Sequence, residues 1–146
     1  MSKQCLDVQQ MQHLQELGLD TSNASMLYCD LYDEEYILVE SKHRFDKEEN
    51  AILLEGVRNS VIYCKKVTPA YTLQDVLDAL PDFINEYSLI IDISFGIIRY
   101  DNLKWKDSPI LKETYFNDED KYLIDAAYEL LVWCVENKSM ETNKKE

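Results

Sequence analysis

Glycine is scarce in this chain: Gly18, Gly56 and Gly96 are all it has, and they stand far apart. A P-loop or a GxGxxG turn needs clustered glycines so that backbone can approach phosphate, and a GxSxG elbow needs them around its serine; none of these is present. Histidine is as sparse, with His13 and His43 and neither in an HExxH pattern, which disfavours a zinc hydrolase or a serine triad. The cysteines at 5, 29, 64 and 134 form no CxxC pair, so they are expected to be reduced core thiols rather than metal ligands, and no metal or cofactor is expected. No run reaches the roughly 18 apolar residues of a membrane span, and the opening MSKQCLDVQQ lacks the apolar centre of a signal peptide. The expectation is a cytoplasmic protein without membrane contact. Basic residues are also short, 15 Lys and Arg against 28 Asp and Glu, a formal charge of −13. That balance argues against direct nucleic-acid binding through phosphate neutralisation.

What the 146 residues do contain is enough apolar content, 46%, to bury one core without disulfides or metals. The most regular stretch is Asn117 to Asn137. Leu123, Ala126, Ala127, Leu130, Leu131 and Cys134 recur at the spacing that lines one face of a helix. Asn117 or Asp118 is the expected cap, followed by an acidic first turn. Ile124, Tyr128, Leu131 and Val135 make a second stripe, widened by Tyr122 and Trp133. A helix this apolar is either covered on two sides by its own domain or uses the extra face on a partner. Tyr122, Tyr128 and Trp133 are therefore the candidate interaction residues, for an unknown protein partner or a homodimer.

Earlier in the chain, Asp7 and Gln10 have capping-box spacing at the head of a helix to Leu17, striped by Val8, Met11 and Leu14. Gly18-Leu19 suits a Schellman ending, and His13, off the stripe, is expected to be solvated. From Met26 the period is two, and the alternation predicts a hairpin with an acidic turn, Tyr32 to Tyr36 at its tip. Residues 43–60 are ambiguous: Asp46 with Glu49 favours a helix through Val57, while AILLE with Gly56 suits a strand. Ser60 to Val67 is expected to be a strand ended by Pro69. Thr72 and Asp75 should cap a helix stopped by Pro81. Tyr87–Ile93, Ile97–Tyr100 and Leu103–Trp105 predict an antiparallel meander, with Ile110–Phe116 as an edge segment. The fold class is α+β, an antiparallel sheet of hairpin plus meander with helices on one face and the last helix central. Residues 1–137 are expected to form one domain and 138–146 a disordered polar tail.

Three passages, HLQELGLDTSNASM (13–26), PAYTLQDVLDALP (69–81) and LIDAAYELLVWCVEN (123–137), resemble small proteins of gut Bacteroides-type bacteria and the prophages within them. The resemblance carries no activity and no catalytic residues. It implies an accessory protein of mobile-element origin. Residues 41–60 depart from the shorter pattern of that group.

One arrangement of charged residues suggests chemistry. Asp33 (or Asp30) with Glu40-Ser41-Lys42 is similar to the Asp and Glu-x-Lys set of metal-dependent nucleases, in which carboxylates hold Mg²⁺ and the lysine assists water. The same Glu-x-Lys spacing is common as a surface ion pair, and the chain lacks cations for a phosphate backbone. The acidic strip Asp118, Asp125, Glu129 and Glu136 is likewise read as the solvated face of the last helix. The expectation is a non-enzymatic interaction domain. An acidic DNA mimic occupying a basic groove on a host enzyme, and the nuclease, are the alternatives.

Overall fold

The computed structural model describes residues 3–31, 35–41, 44–46, 51–53, 61–102, 110–117 and 121–137. α1, Val8–Glu16, starts as its sequence dictates: Asp7 accepts the Gln10 N–H at 2.8 Å while the Gln10 side-chain oxygen accepts the Asp7 N–H at 3.0 Å. It ends in a Schellman motif. Gly18, at φ 96°, donates its N–H to Gln15, and Leu19 donates to Leu14 at 3.1 Å, so the last carbonyls are satisfied by the residue type that tolerates this backbone. His13 is only partly solvated. It is half-buried, edge-on to Tyr128 with ring centroids 6.5 Å apart.

β1, Met26–Asp30, and β2, Tyr36–Glu40, form the expected hairpin, Met26 opposite Glu40 and Asp30 opposite Tyr36. Residues 32–34 at its tip lie outside the described residues. Of the two readings of residues 43–60, the structure decides for the strand where the chain is described: β3, Arg44–Asp46, β4, Ala51–Leu53, and β5, Val61–Tyr63, are three short antiparallel strands, and the helix from Asp46 is corrected. The capping-box spacing there is a weak local signal, and burial of Ile52 in an apolar cluster with Cys29 and Cys64 overrides it. The expected strand over 60–67 is also divided, because β6, Lys66–Ala70, leaves β5 to pair with β1. Pro69 lies inside β6, opposite Leu27, instead of ending it. β6 is the outer strand of the order β2-β1-β6, where a missing N–H leaves the ladder intact.

α2, Leu73–Ala79, has its capping box between Thr72 and Asp75. The Asp75 carboxylate also accepts the Ser25 N–H (2.8 Å) and hydroxyl (2.6 Å), which ties the helix start to the entry of β1. Burial alone would raise the Asp75 pKa, but these bonds from Ser25 and Thr72 outweigh it and hold the carboxyl below its ordinary value. Beyond Pro81 come β7, Phe83–Ile84, β8, Tyr87–Asp92, β9, Ile97–Asp101, and β10, Ile110–Tyr115, an antiparallel sheet in the order β10-β9-β8-β7. The edge segment over 110–116 is thus β10. Leu103–Trp105 lie outside the described residues.

α3, Leu123–Glu136, begins later than its acidic run suggested. Its N-cap is Tyr122, without a side-chain cap bond, because Asn117 turns back on Lys121 (Asn117 N–H to the Lys121 carbonyl, 2.6 Å) before the helix starts. Ile124, Ala126, Ala127, Leu130, Leu131 and Cys134 are buried, so the stripe is the expected one with Ile124 in place of Leu123. Ala126 and Ala127 allow close approach to the sheet, and the Thr114 hydroxyl on β10 donates to the Ala126 carbonyl at 2.8 Å. The class is α+β, with α3 packed against α2, β9 and β10, and α1 against β6. Among the described residues the strands form three sheets, and all four cysteines are buried free thiols.

Candidate functional site

The turn between β8 and β9 presents apolar side chains to solvent from a braced backbone. Asp92 accepts the Phe95 N–H at 3.2 Å, and Gly96 donates to the Ile93 carbonyl at 3.3 Å. The Gly96 carbonyl in turn accepts the Phe116 N–H at 2.8 Å. Gly96 has φ 66°, and a Cβ there would run into the Phe116 carbonyl oxygen, so the position requires glycine on two counts. The turn is held, yet Ile93 and Phe95 are 79% and 77% exposed, the highest values for large apolar residues among those described. Loop tips ordinarily carry polar residues, so two large apolar side chains in water on a braced turn are a candidate contact surface.

Beside this turn lies a groove of about 270 Å³ lined by Leu73, Ile93, Phe116, Asn117, Tyr122, Leu123, Ile124 and Lys3. Its floor is where α2 and α3 begin. Lys3 closes one end: its ammonium donates to Asp125 and to Gln10, each at 2.7 Å, and Gln10 also donates to Asp125 at 3.0 Å. Burial would raise the Asp125 pKa, but the bonds from Lys3 and Gln10 prevail and hold it below the ordinary carboxylate value. A neutralised rim around an apolar floor suits an apolar anchor side chain better than a charged ligand.

The three aromatics singled out from the sequence do not form one surface. Tyr122 lines the groove. Tyr128 points towards α1, where it meets His13, and desolvation pushes its phenol pKa up. Trp133, about 140° further round the helix, is half-buried against the core, its carbonyl accepting the Asn137 side-chain N–H at 2.7 Å. All three are half-buried by their own chain. Of the proposed nuclease set, Glu40 ends β2 and is exposed, while Asp33 and Lys42 lie outside the described residues. In the acidic strip, Asp125 is taken by Lys3 and Glu129 by Lys121 at 2.7 Å, and Asp118 is outside the described residues. No group of three His, Cys, Asp or Glu side chains suited to a metal ion occurs among the described residues.

No family model, curated protein or solved structure matches this chain. The chemistry must therefore be read from the surface itself. Ile93 and Phe95 were not legible as contact residues from the sequence, where Ile93 ends a strand and Phe95 belongs to the Ser94-Phe95-Gly96 connection. Their one signal was proximity to Gly96, which placed them on a turn.

Proposed function

We propose that the chain is a non-enzymatic protein-interaction domain that binds a protein partner through the β8–β9 turn and the adjoining groove at Tyr122. The observation that carries this reading is the pair Ile93 and Phe95, 79% and 77% exposed on a backbone held by Asp92, Gly96 and Phe116. A preformed turn loses little conformational entropy on binding, and an aromatic beside an aliphatic residue next to a pocket is the usual composition of an interface centre. Of the candidate residues on α3, Tyr122 belongs to this face. The resemblance to mobile-element proteins favours an accessory role.

The test is the double substitution Ile93→Ser with Phe95→Ser. Binding of a partner identified by cross-linking in the host should fall at least tenfold while the far-UV spectrum and melting curve stay as in the parent. Undiminished binding would overturn the assignment of this face. Self-association is read in parallel by sedimentation equilibrium: a dimer that the double variant abolishes would make the partner a second copy. A second reading, mimicry of DNA by the acidic surface, is favoured by the charge of −13. It predicts binding to a basic nucleic-acid enzyme that is insensitive to Ile93 and Phe95 and weakens steeply with salt.

A further inference from the structure

β1 has two faces, and among the described residues only one is closed. On the first, Cys29 packs with Ile52 and Cys64 against the small sheet. On the second, α1 packs over β6 but leaves the β2 end open. There Tyr28 and Tyr36 stand as diagonal neighbours, since Tyr28 faces Leu38 and Asp30 faces Tyr36 across the hairpin. Their rings lie 6.4 Å apart at 87°, and with the first turn of α1 they line a cleft of about 500 Å³ whose other residues are Asp7, Val8 and Gln9.

The walls are aromatic and acidic. Tyr28 donates its hydroxyl to the Leu6 carbonyl at 2.9 Å, which fixes its ring and leaves the π system as its contribution. Tyr36 is 54% exposed, so its ring is available to a ligand. Aromatic faces carry the negative lobe of the ring quadrupole. Asp7 adds a full negative charge, which outweighs the roughly half positive charge of the helix end it caps. Lys3 lies 3.8 Å from Asp7 but is committed at 2.7 Å to Asp125 and Gln10, and among the described residues no cationic side chain lines the cleft. The charge of −13 further enriches cations near the surface.

We propose that the Tyr28–Tyr36–Asp7 cleft is a binding site for a methylated ammonium group, seated against the two rings with Asp7 as counter-charge. It is separate from the face at the β8–β9 turn and stands or falls independently of it. The probe is choline, titrated into the full chain at ionic strength held constant with NaCl and followed by amide chemical shifts. Saturable shifts should appear at residues 7–9, 28 and 36, and the neutral tert-butyl isostere of choline should bind about tenfold more weakly, the discrimination a cation–π contact supplies. Tyr36→Phe keeps the ring and should bind as the parent does, whereas Tyr36→Leu should lose choline binding with the remaining spectrum unchanged. Equal affinity for choline and its isostere, absence of saturable shifts, or undiminished binding by Tyr36→Leu would each overturn the proposal.

Discussion

The molecule has two apolar clusters of unequal build. One gathers α1, α2, α3 and the β8–β9 strands around Leu130, Leu131, Ile98 and Tyr100. The other is the trio Cys29, Ile52 and Cys64, rimmed by half-buried residues such as Ile37, Val39 and Ile62. The first rests on a helix of 14 residues whose stripe repeats over several turns. The second rests on strands of three to five residues contributed by β1, β4 and the β5–β6 connection. A cluster with many shared neighbours should open only with the whole fold, while one with a thin rim should open locally at lower cost. The braced turn and the groove are built on the large cluster, where the position of each group is over-determined.

Leu130 is fully buried in the large cluster, and Leu130→Ala should cost about 2–5 kcal/mol in urea unfolding. A loss below about 0.5 would make α3 peripheral. Ile52→Ala in the small cluster should fall at the low end, about 2 kcal/mol, because its half-exposed neighbours can collapse into the space. In hydrogen exchange it should release the β4 and β5 amides without releasing those of α3. Equal loss of protection in both regions would show that the two clusters are one cooperative unit.

Gly96→Ala tests whether the turn is held as tightly as its bonds imply. The substituent meets the Phe116 carbonyl at a positive φ, so a loss of about 1–3 kcal/mol is expected. A neutral result would mean that the turn adjusts freely. A smaller effect comes from pH. Asp75 and Asp125 have folded-state pKa values below the ordinary 3.8, so they bind protons less readily when folded. Their contribution to stability is present above the unfolded value and is lost as pH falls below 3.8 through the folded values, discounted by their partial exposure. Denaturation across that range should show Asp125→Asn flattening the dependence, and an unchanged slope would separate Lys3 and Gln10 from the stability of α3. Smallest of all, Phe95→Ser should alter stability by less than about 0.5 kcal/mol while affecting binding, because its side chain rests in water.

The helices were legible because their signals are local and repeated. Asp7 with Gln10, Gly18 with Leu19, and Thr72 with Asp75 each specify a terminus through backbone bonds made within a few residues, and the α3 stripe repeats often enough to outvote any single position. The candidate site was less legible: the sequence pointed to excess apolar surface on α3, and of the three aromatics it named, Tyr122 lines the groove while Tyr128 and Trp133 are half-buried elsewhere. What the sequence determined by itself is the α+β class, the caps of α1 and α2, the first hairpin and the acidic character, all consequences of neighbouring residues or of composition. What tertiary structure decided is the strand identity of residues 44–46 and 51–53, the place of Pro69 within an outer strand, and the exposure of Ile93 and Phe95. Each of these depends on a contact with a distant partner, Ile52 with Cys29, β6 with β1, Gly96 with Phe116, and no short window of sequence contains both sides of such a contact.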